Sequence, residues 1–200
     1  MKNDVYVLAH EMKNPLCVAK GYLEMMNKSN LDKYKEIIKE EINMSLEILD
    51  NYLSYDKIMI TGEEIDLNVL LEDIKNNMND YLNKCGVNLK VILKDDEIYL
   101  KADYHKLKQV FYNIIKNAVE GEAKNIIVTY KVIYNQIKII IRNDGMRINN
   151  LDEIGHNYSN KVLGHGIGTF LSQKIIHLHD GKITYKNELR GCFCDITLPI

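Results

Sequence analysis

Residues 10–16 read His10-Glu11-Met12-Lys13-Asn14-Pro15-Leu16, inside a run that places Val5, Leu8, Met12, Leu16, Ala19, Leu23 and Met26 at intervals of three and four. That spacing is the signature of a helix burying one stripe. His10 lies two positions from both Leu8 and Met12, about 200° of rotation from either. The spacing therefore predicts an imidazole turned to solvent on a helix held from behind. An exposed histidine beside a carboxylate, here Glu11, is a candidate nucleophile, because imidazole near its ordinary pKa is largely neutral at pH 7. Asn14 shares the face of His10 at i+4. Pro15 removes a backbone donor and predicts a bend one turn beyond His10.

Outward from this stretch, the pattern predicts a helix over about residues 3–27, a turn at Lys28, Ser29 and Asn30, and a second helix over about residues 31–57. Ile38, Ile42, Ser45, Leu49 and Tyr52 share one stripe of the second helix, and Ile37, Met44, Ile48, Asn51 and Tyr55 broaden it. Two helices cannot hide so wide an apolar face against each other alone. A second copy, completing a four-helix bundle, is the economical expectation. The alternative is that the hairpin packs on the domain that follows.

Size and charge set bounds. A chain of 200 residues, 46% hydrophobic, suits one large domain or two small ones with real cores. Lys plus Arg number 26 against 28 Asp plus Glu, for a net charge of -2, which argues against a dedicated nucleic-acid binder. Neither a membrane-spanning apolar run nor a signal peptide is visible, so the expectation is a cytoplasmic protein without direct membrane contact. Cys192 and Cys194 form a C-x-C pair on one face of an expected strand, but Cys17 and Cys85 lie in quite different segments. Four reduced thiols are expected rather than a structural zinc.

A polar break at Thr61-Gly62-Glu63-Glu64 separates a second unit, giving expected domains of residues 1–60 and 63–200. A short strand and a helix over about 67–84 are followed by strands near 87–93 and 98–101. Asp103 is a plausible N-cap for a helix carrying Leu107, Val110, Phe111, Ile114, Ile115 and Ala118. Strands near 125–133 and 136–141 meet at Tyr134-Asn135, a hairpin turn, and a glycine-bearing loop leads to a helix over about 168–179. Strands near 182–186 and 192–198 complete an α+β arrangement: a two-layer α/β sandwich with a mainly antiparallel sheet.

Three features of this unit carry chemistry. Asn113 and Asn117 stand four apart in Gln109-Val110-Phe111-Tyr112-Asn113-Ile114-Ile115-Lys116-Asn117-Ala118, so both occupy one helix face. Gly164-His165-Gly166-Ile167-Gly168 precedes an amphipathic helix; such glycines let backbone N–H groups approach phosphates beside a helix N-terminus. By itself this run also fits an ordinary helix-entry loop. Asn143-Asp144-Gly145-Met146-Arg147-Ile148 is the third.

Together with His10-Glu11-Met12-Lys13-Asn14-Pro15 and the segment His179-Asp180-Gly181-Lys182-Ile183, these motifs resemble the sensor histidine kinases of two-component systems, of the sporulation-kinase kind. The resemblance covers almost the whole chain. Residues 1–57 resemble the dimerisation and histidine-phosphotransfer domain, and roughly 63–200 the ATP-binding domain of the Hsp90-gyrase-kinase-MutL type. It implies a homodimer that uses ATP and Mg²⁺ to phosphorylate His10 and hands the phosphoryl group to a response-regulator receiver domain. Glu11 would act as base or orient the imidazole, and Asn14 would orient water for an opposing phosphatase activity. Asn117 would bind Mg²⁺, Asn113 would support the phosphate and metal region, and Asn143, Gly145, Gly164, Gly166 and Gly168 would line the nucleotide site. Lys161, in Asn157-Tyr158-Ser159-Asn160-Lys161, would meet the terminal phosphate from a mobile lid between 148 and 164.

The sequence departs from the family in one box. Asn143 stands where an aspartate normally accepts from the adenine amino group, and Arg147 replaces the second glycine. An asparagine oxygen accepts the same bond without the charge, so weakened or retuned adenine recognition is expected. That departure keeps open a phosphotransferase or phosphatase with a degenerate ATP domain. A non-enzymatic adaptor that sequesters a regulator would have no need of His10, Glu11 and Asn14.

Overall fold

The computed structural model describes residues 2–55, 58–94, 96–149, 151 and 167–200. It divides into two compact units, Met1–Ile58 and Met59–Ile200.

The first unit is an antiparallel pair of helices, α1 (Lys2–Glu24) and α2 (Leu31–Tyr55). The first helix stops three residues short of its expected end. The Asn27 carboxamide accepts from the Ser29 backbone N–H at 2.9 Å and Asn30 Oδ1 from the Asn27 N–H at 2.7 Å, so this side-chain turn offers the backbone an alternative to helix. Pro15 sits buried within α1. Ala19, Ser45 and Ile48 form the tight seam, and Ser45 Oγ donates to Glu41 O at 3.2 Å while lying 3.5 Å from Met12 O of the facing helix. Small residues there let the backbones approach. Tyr22 and Tyr34 close the turn end edge to face at 4.9 Å. Leu16, Val18, Leu23, Ile42 and Leu46 remain exposed, so the hairpin keeps uncovered apolar surface.

The second unit pairs β1 (Glu63–Asp66) with β3 (Tyr99–Ala102) in a small antiparallel ribbon and builds a five-stranded sheet in the order β2-β4-β5-β7-β6. Its strands are β2 (Asn88–Val91), β4 (Asn125–Ile133), β5 (Gln136–Asn143), β6 (Lys182–Asn187) and β7 (Cys192–Pro199). Only the β2–β4 pair is parallel. Alternation decides the faces: Ile126, Val128 and Tyr130 of β4, Ile137, Ile139 and Ile141 of β5, and Cys194, Ile196 and Leu198 of β7 are buried on one side.

Helices α3 (Leu67–Cys85), α4 (Tyr104–Glu120) and α5 (Ile167–Leu178) supply the second layer, with α4 touching α3 on one side and α5 on the other. The Asp66 carboxylate caps α3 through Asn68 N–H at 2.7 Å, and Asp103 caps α4 through Lys106 N–H at 2.9 Å. Gly86, at φ +66, ends α3 in the left-handed conformation that favours glycine. Leu67, Leu70, Leu71 and Ile74 of α3, with Leu107, Phe111 and Ile115 of α4 and Ile175 of α5, fill the space above the sheet.

Candidate active site

The residues expected to carry the phosphoryl chemistry lie on α1, and the side chains of His10 and Glu11 are outside the described ones. His10 and Glu11 belong to that helix, and Asn14 is exposed one turn further along it.

In the second unit, α4 and α5 bring two of the motifs together. Asn113 Nδ2 donates to Gly168 O at 3.2 Å and to Ser172 Oγ at 3.4 Å, and Ser172 Oγ donates to the same Gly168 carbonyl at 2.7 Å. A Cβ on Gly168 would lie 3.4 Å from Asn113 Cγ, an ordinary contact, which shows how closely the first turn of α5 rests on α4. One helical turn away, Asn117 Nδ2 donates to Thr169 Oγ1 at 3.4 Å. That bond uses the amide nitrogen of the exposed Asn117, so its carbonyl oxygen is not the atom bonded to Thr169. A neutral amide oxygen is the kind of hard donor that Mg²⁺ accepts when phosphates bring the charge. The end of the glycine run is thus a helix N-terminus flanked by both asparagines, a place that favours anions.

The third motif lies at the end of β5. The strand runs two residues further than its hydrophobic pattern suggests, so Asn143 is its last residue and is 8% exposed. Asn143 Oδ1 accepts from Gly145 N–H at 3.1 Å, and its Nδ2 donates to Cys192 Sγ at 3.3 Å. The loop that follows is docked tightly. Asp144 Oδ1 accepts the backbone N–H groups of Lys124 and Asn125, both at 2.8 Å, while Oδ2 accepts from Asn125 Nδ2 at 2.8 Å. Led by the Asn125 amide, these donors hold the Asp144 carboxyl below its ordinary value. Met146 N–H donates to Gly121 O at 2.6 Å, just past the end of α4. A Cβ on Gly145 would meet that same carbonyl at 2.4 Å, which explains the glycine. Ile148 is then tied to β6, its N–H donating to Asn187 Oδ1 and its carbonyl accepting from Asn187 Nδ2, each at 2.8 Å.

The structure therefore gathers Asn113, Asn117 and Gly168 into one cluster and sets Asn143 with Gly145 in another. Arg147 is exposed rather than packed into the core. Lys161, Gly164 and Gly166, with the Ser159 segment, lie outside the described residues. Sequence reasoning missed four contributors. In sequence, Thr169 reads only as a helix residue, Asn187 as a turn residue and Asp144 as part of a glycine box. Cys192 reads as half of a C-x-C pair. It does share a face with Cys194, and none of the four cysteines is in a disulfide. The pairing of Asn143 with Cys192 across two strands leaves no local signal, but Asp144 followed by glycine is itself a sign of a carboxylate holding a turn.

Comparison with known proteins gives this geometry a family. Residues 5–59 match the His Kinase A (phospho-acceptor) domain, and residues 102–200 match the histidine kinase-, DNA gyrase B-, and HSP90-like ATPase. Sporulation kinase E of Bacillus subtilis is 31% identical over 204 residues, covering 96% of this chain and 28% of that protein. Sporulation kinase B of the same organism is 30% identical, over 96% of this chain and 48% of its own length. The chain thus spans less than half of either relative. Among solved structures, histidine kinase ThkA in complex with response regulator protein TrrA superposes with a TM-score of 0.81 at 25% identity, covering 96% of this chain and 59% of that one. The hairpin and the sandwich are the phospho-acceptor and ATP-binding parts of one architecture, and the chain belongs to the sensor histidine kinases.

Proposed function

We propose that this chain catalyses ATP-dependent phosphorylation of His10 and passes the phosphoryl group to an aspartate of a response-regulator receiver domain. The observation that carries the proposal is the convergence of Asn113 and Asn117 on Gly168 and Thr169, beside a helix N-terminus suited to phosphates. In this reading Asn143 faces the adenine edge, Gly145 and the 164–168 run cradle the nucleotide, and Lys161 meets the terminal phosphate. Asn117 holds Mg²⁺, with Asn113 behind it; the ion supplies charge neutralisation on the phosphates. A ring nitrogen of His10 forms the new N–P bond as the bond from the γ-phosphorus to the bridging oxygen of ADP breaks. Glu11 orients the imidazole or takes up its second ring proton.

Asn14, exposed on the same helix, serves the reverse direction by orienting water on the regulator's phosphoaspartate. The exposed Leu16, Leu23, Ile42 and Leu46 fit a homodimer in which a second hairpin completes a four-helix bundle. No helix among the described residues is long and apolar enough to cross a membrane, and the proposed setting is the cytoplasm, where ATP and receiver domains are found. Incubation with γ-labelled ATP and Mg²⁺ is the test: acid-labile, base-stable label on the wild type and none on His10→Gln. Nucleotide binding without label would favour a relay that takes its phosphate from another protein. Absence of both would sink the kinase reading.

A further inference from the structure

Asn143 and Cys192 are register partners across the antiparallel β5 and β7, in the row next to Ile141 and Cys194. Asn187 of β6 pairs with Cys192 from the other side. A polar row of Asn143, Cys192 and Asn187 thus borders the apolar core where β5 leads into the Asp144–Gly145 loop. Within that row the Asn143 amide is keyed at both ends: Oδ1 takes Gly145 N–H and Nδ2 gives a hydrogen to Cys192 Sγ.

The two ends of a carboxamide differ in sense, one accepting and the other donating. Purine bases differ in the same way at C6, where adenine presents an amino donor and a 6-oxo purine presents an acceptor. A half-turn of the Asn143 amide would therefore exchange the base it fits. A carboxylate, whose two oxygens are alike, carries no such ambiguity. Oδ1 keeps a second lone pair after accepting from Gly145, and Cys192 occupies the donor end.

We infer that Cys192 is a positioning residue for base selection, its sulfur holding Asn143 Nδ2 so that the Asn143 carbonyl is the group offered to the nucleotide and a 6-amino purine is preferred over a 6-oxo one. This rests on the reading of Asn143 as the base-facing residue of an ATP site.

Calorimetric titration of the whole chain with ATP and with inosine triphosphate tests it. Wild type should bind ATP more tightly than inosine triphosphate. Cys192→Ala should reduce the ratio of the two affinities by about fivefold, the equivalent of one net hydrogen bond. Cys192→Val, which also lacks an acceptor but fills the volume, should do the same, whereas Cys192→Ser should keep the ratio. In an Asn143→Asp background Cys192→Ala should leave the ratio unmoved, because a carboxylate has no orientation to lose. Thermal melts identify any variant that fails to fold, and the Ala and Val replacements then substitute for one another. Equal weakening of both nucleotides in every Cys192 variant would overturn the inference while leaving the ATP site standing. A folded wild type that binds neither nucleotide would overturn the site reading itself, and this inference with it.

Discussion

The backbone N–H of Asp103 donates to His179 Nε2 at 2.9 Å, joining residues 76 apart in sequence at the junction of β3, α4 and α5. His179 Nδ1 lies 2.7 Å from Ile175 O, so a ring with its hydrogen on Nδ1 satisfies both partners. The Asp103 carboxylate, meanwhile, caps α4 and holds the N–H and hydroxyl of Thr61, each at 3.0 Å. One buried imidazole thereby ties the end of α5 to the start of α4.

His179→Ala strips that N–H of its acceptor inside the protein. Leaving a buried donor unpaired costs about 1–3 kcal/mol. The urea midpoint of the second unit should fall accordingly, with nucleotide affinity falling alongside it. An unchanged midpoint would count against the role given to this imidazole.

Acid should weaken the fold through three carboxyls held below their ordinary value. The Tyr104 hydroxyl and then Lys108 lower Asp73. Burial pushes Asp103 up, but donors from Thr61 and Lys106 together pull it further down. Asp144 is lowered chiefly by the Asn125 amide. A folded-state pKa below the unfolded value of about 3.9 means stability is full well above that pH and is lost as pH falls through the depressed values. Urea midpoints should therefore drop below about pH 4, and Asp144→Asn should flatten that drop. A parallel acid limb in the variant would remove Asp144 from the explanation.

Asn117→Ala should abolish most Mg²⁺-dependent turnover without unfolding the chain, because the side chain is exposed and contributes one long hydrogen bond to Thr169. Label transfer from ATP and a thermal melt, measured on the same preparation, separate the two effects. Wild-type turnover in this variant would exclude Asn117 as a metal ligand.

Gly191 is at φ +77, and a Cβ there would lie 1.9 Å from Asn143 O. Gly191→Ala must therefore move the end of β5 as well as adopt a left-handed backbone, which alone costs about 1–2 kcal/mol. Both the melting temperature and the ATP affinity should fall. A drop in melting temperature with intact affinity would show that Asn143 tolerates the shift.

Asn14→Ala should spare phosphorylation of His10 yet slow dephosphorylation of a preformed phospho-receiver. The motive is geometric: Asn14 shares the His10 face one turn away on α1. Equal dephosphorylation rates for variant and wild type would remove it from that role.

The parts of this fold readable from the chain are those whose causes are local. Periodicity predicts the five α-helices among the described residues, Asp103 announces the start of α4, and Tyr134-Asn135 marks the β4–β5 turn, where Tyr134 adopts φ +53. Boundaries failed where a side chain competes with the ladder, as at Asn27 and Asn30, or where a polar residue continues a strand, as at Asn143. The strand order has no local signature, since β2 joins β4 in parallel and β7 lies between β5 and β6. The candidate site divides the same way. Asn113, Asn117 and Gly168 stand out as motif residues, whereas Thr169 and Cys192 acquire meaning only from what the tertiary structure sets beside them.

Strand order also constrains how the second unit is made on the ribosome. β7 is synthesised after β4, β5 and β6, yet it occupies an interior place and, among the described residues, bridges β5 and β6. A nascent chain that has extruded residues through 187 lacks the strand that, among the described residues, pairs with β6 and with one side of β5. Its open strand edge and half-covered apolar face are what chaperones bind and what sticks to other nascent chains. Residues 192–199 therefore act as a closing stitch, and translational pausing just before them should be when this protein is most in need of protection.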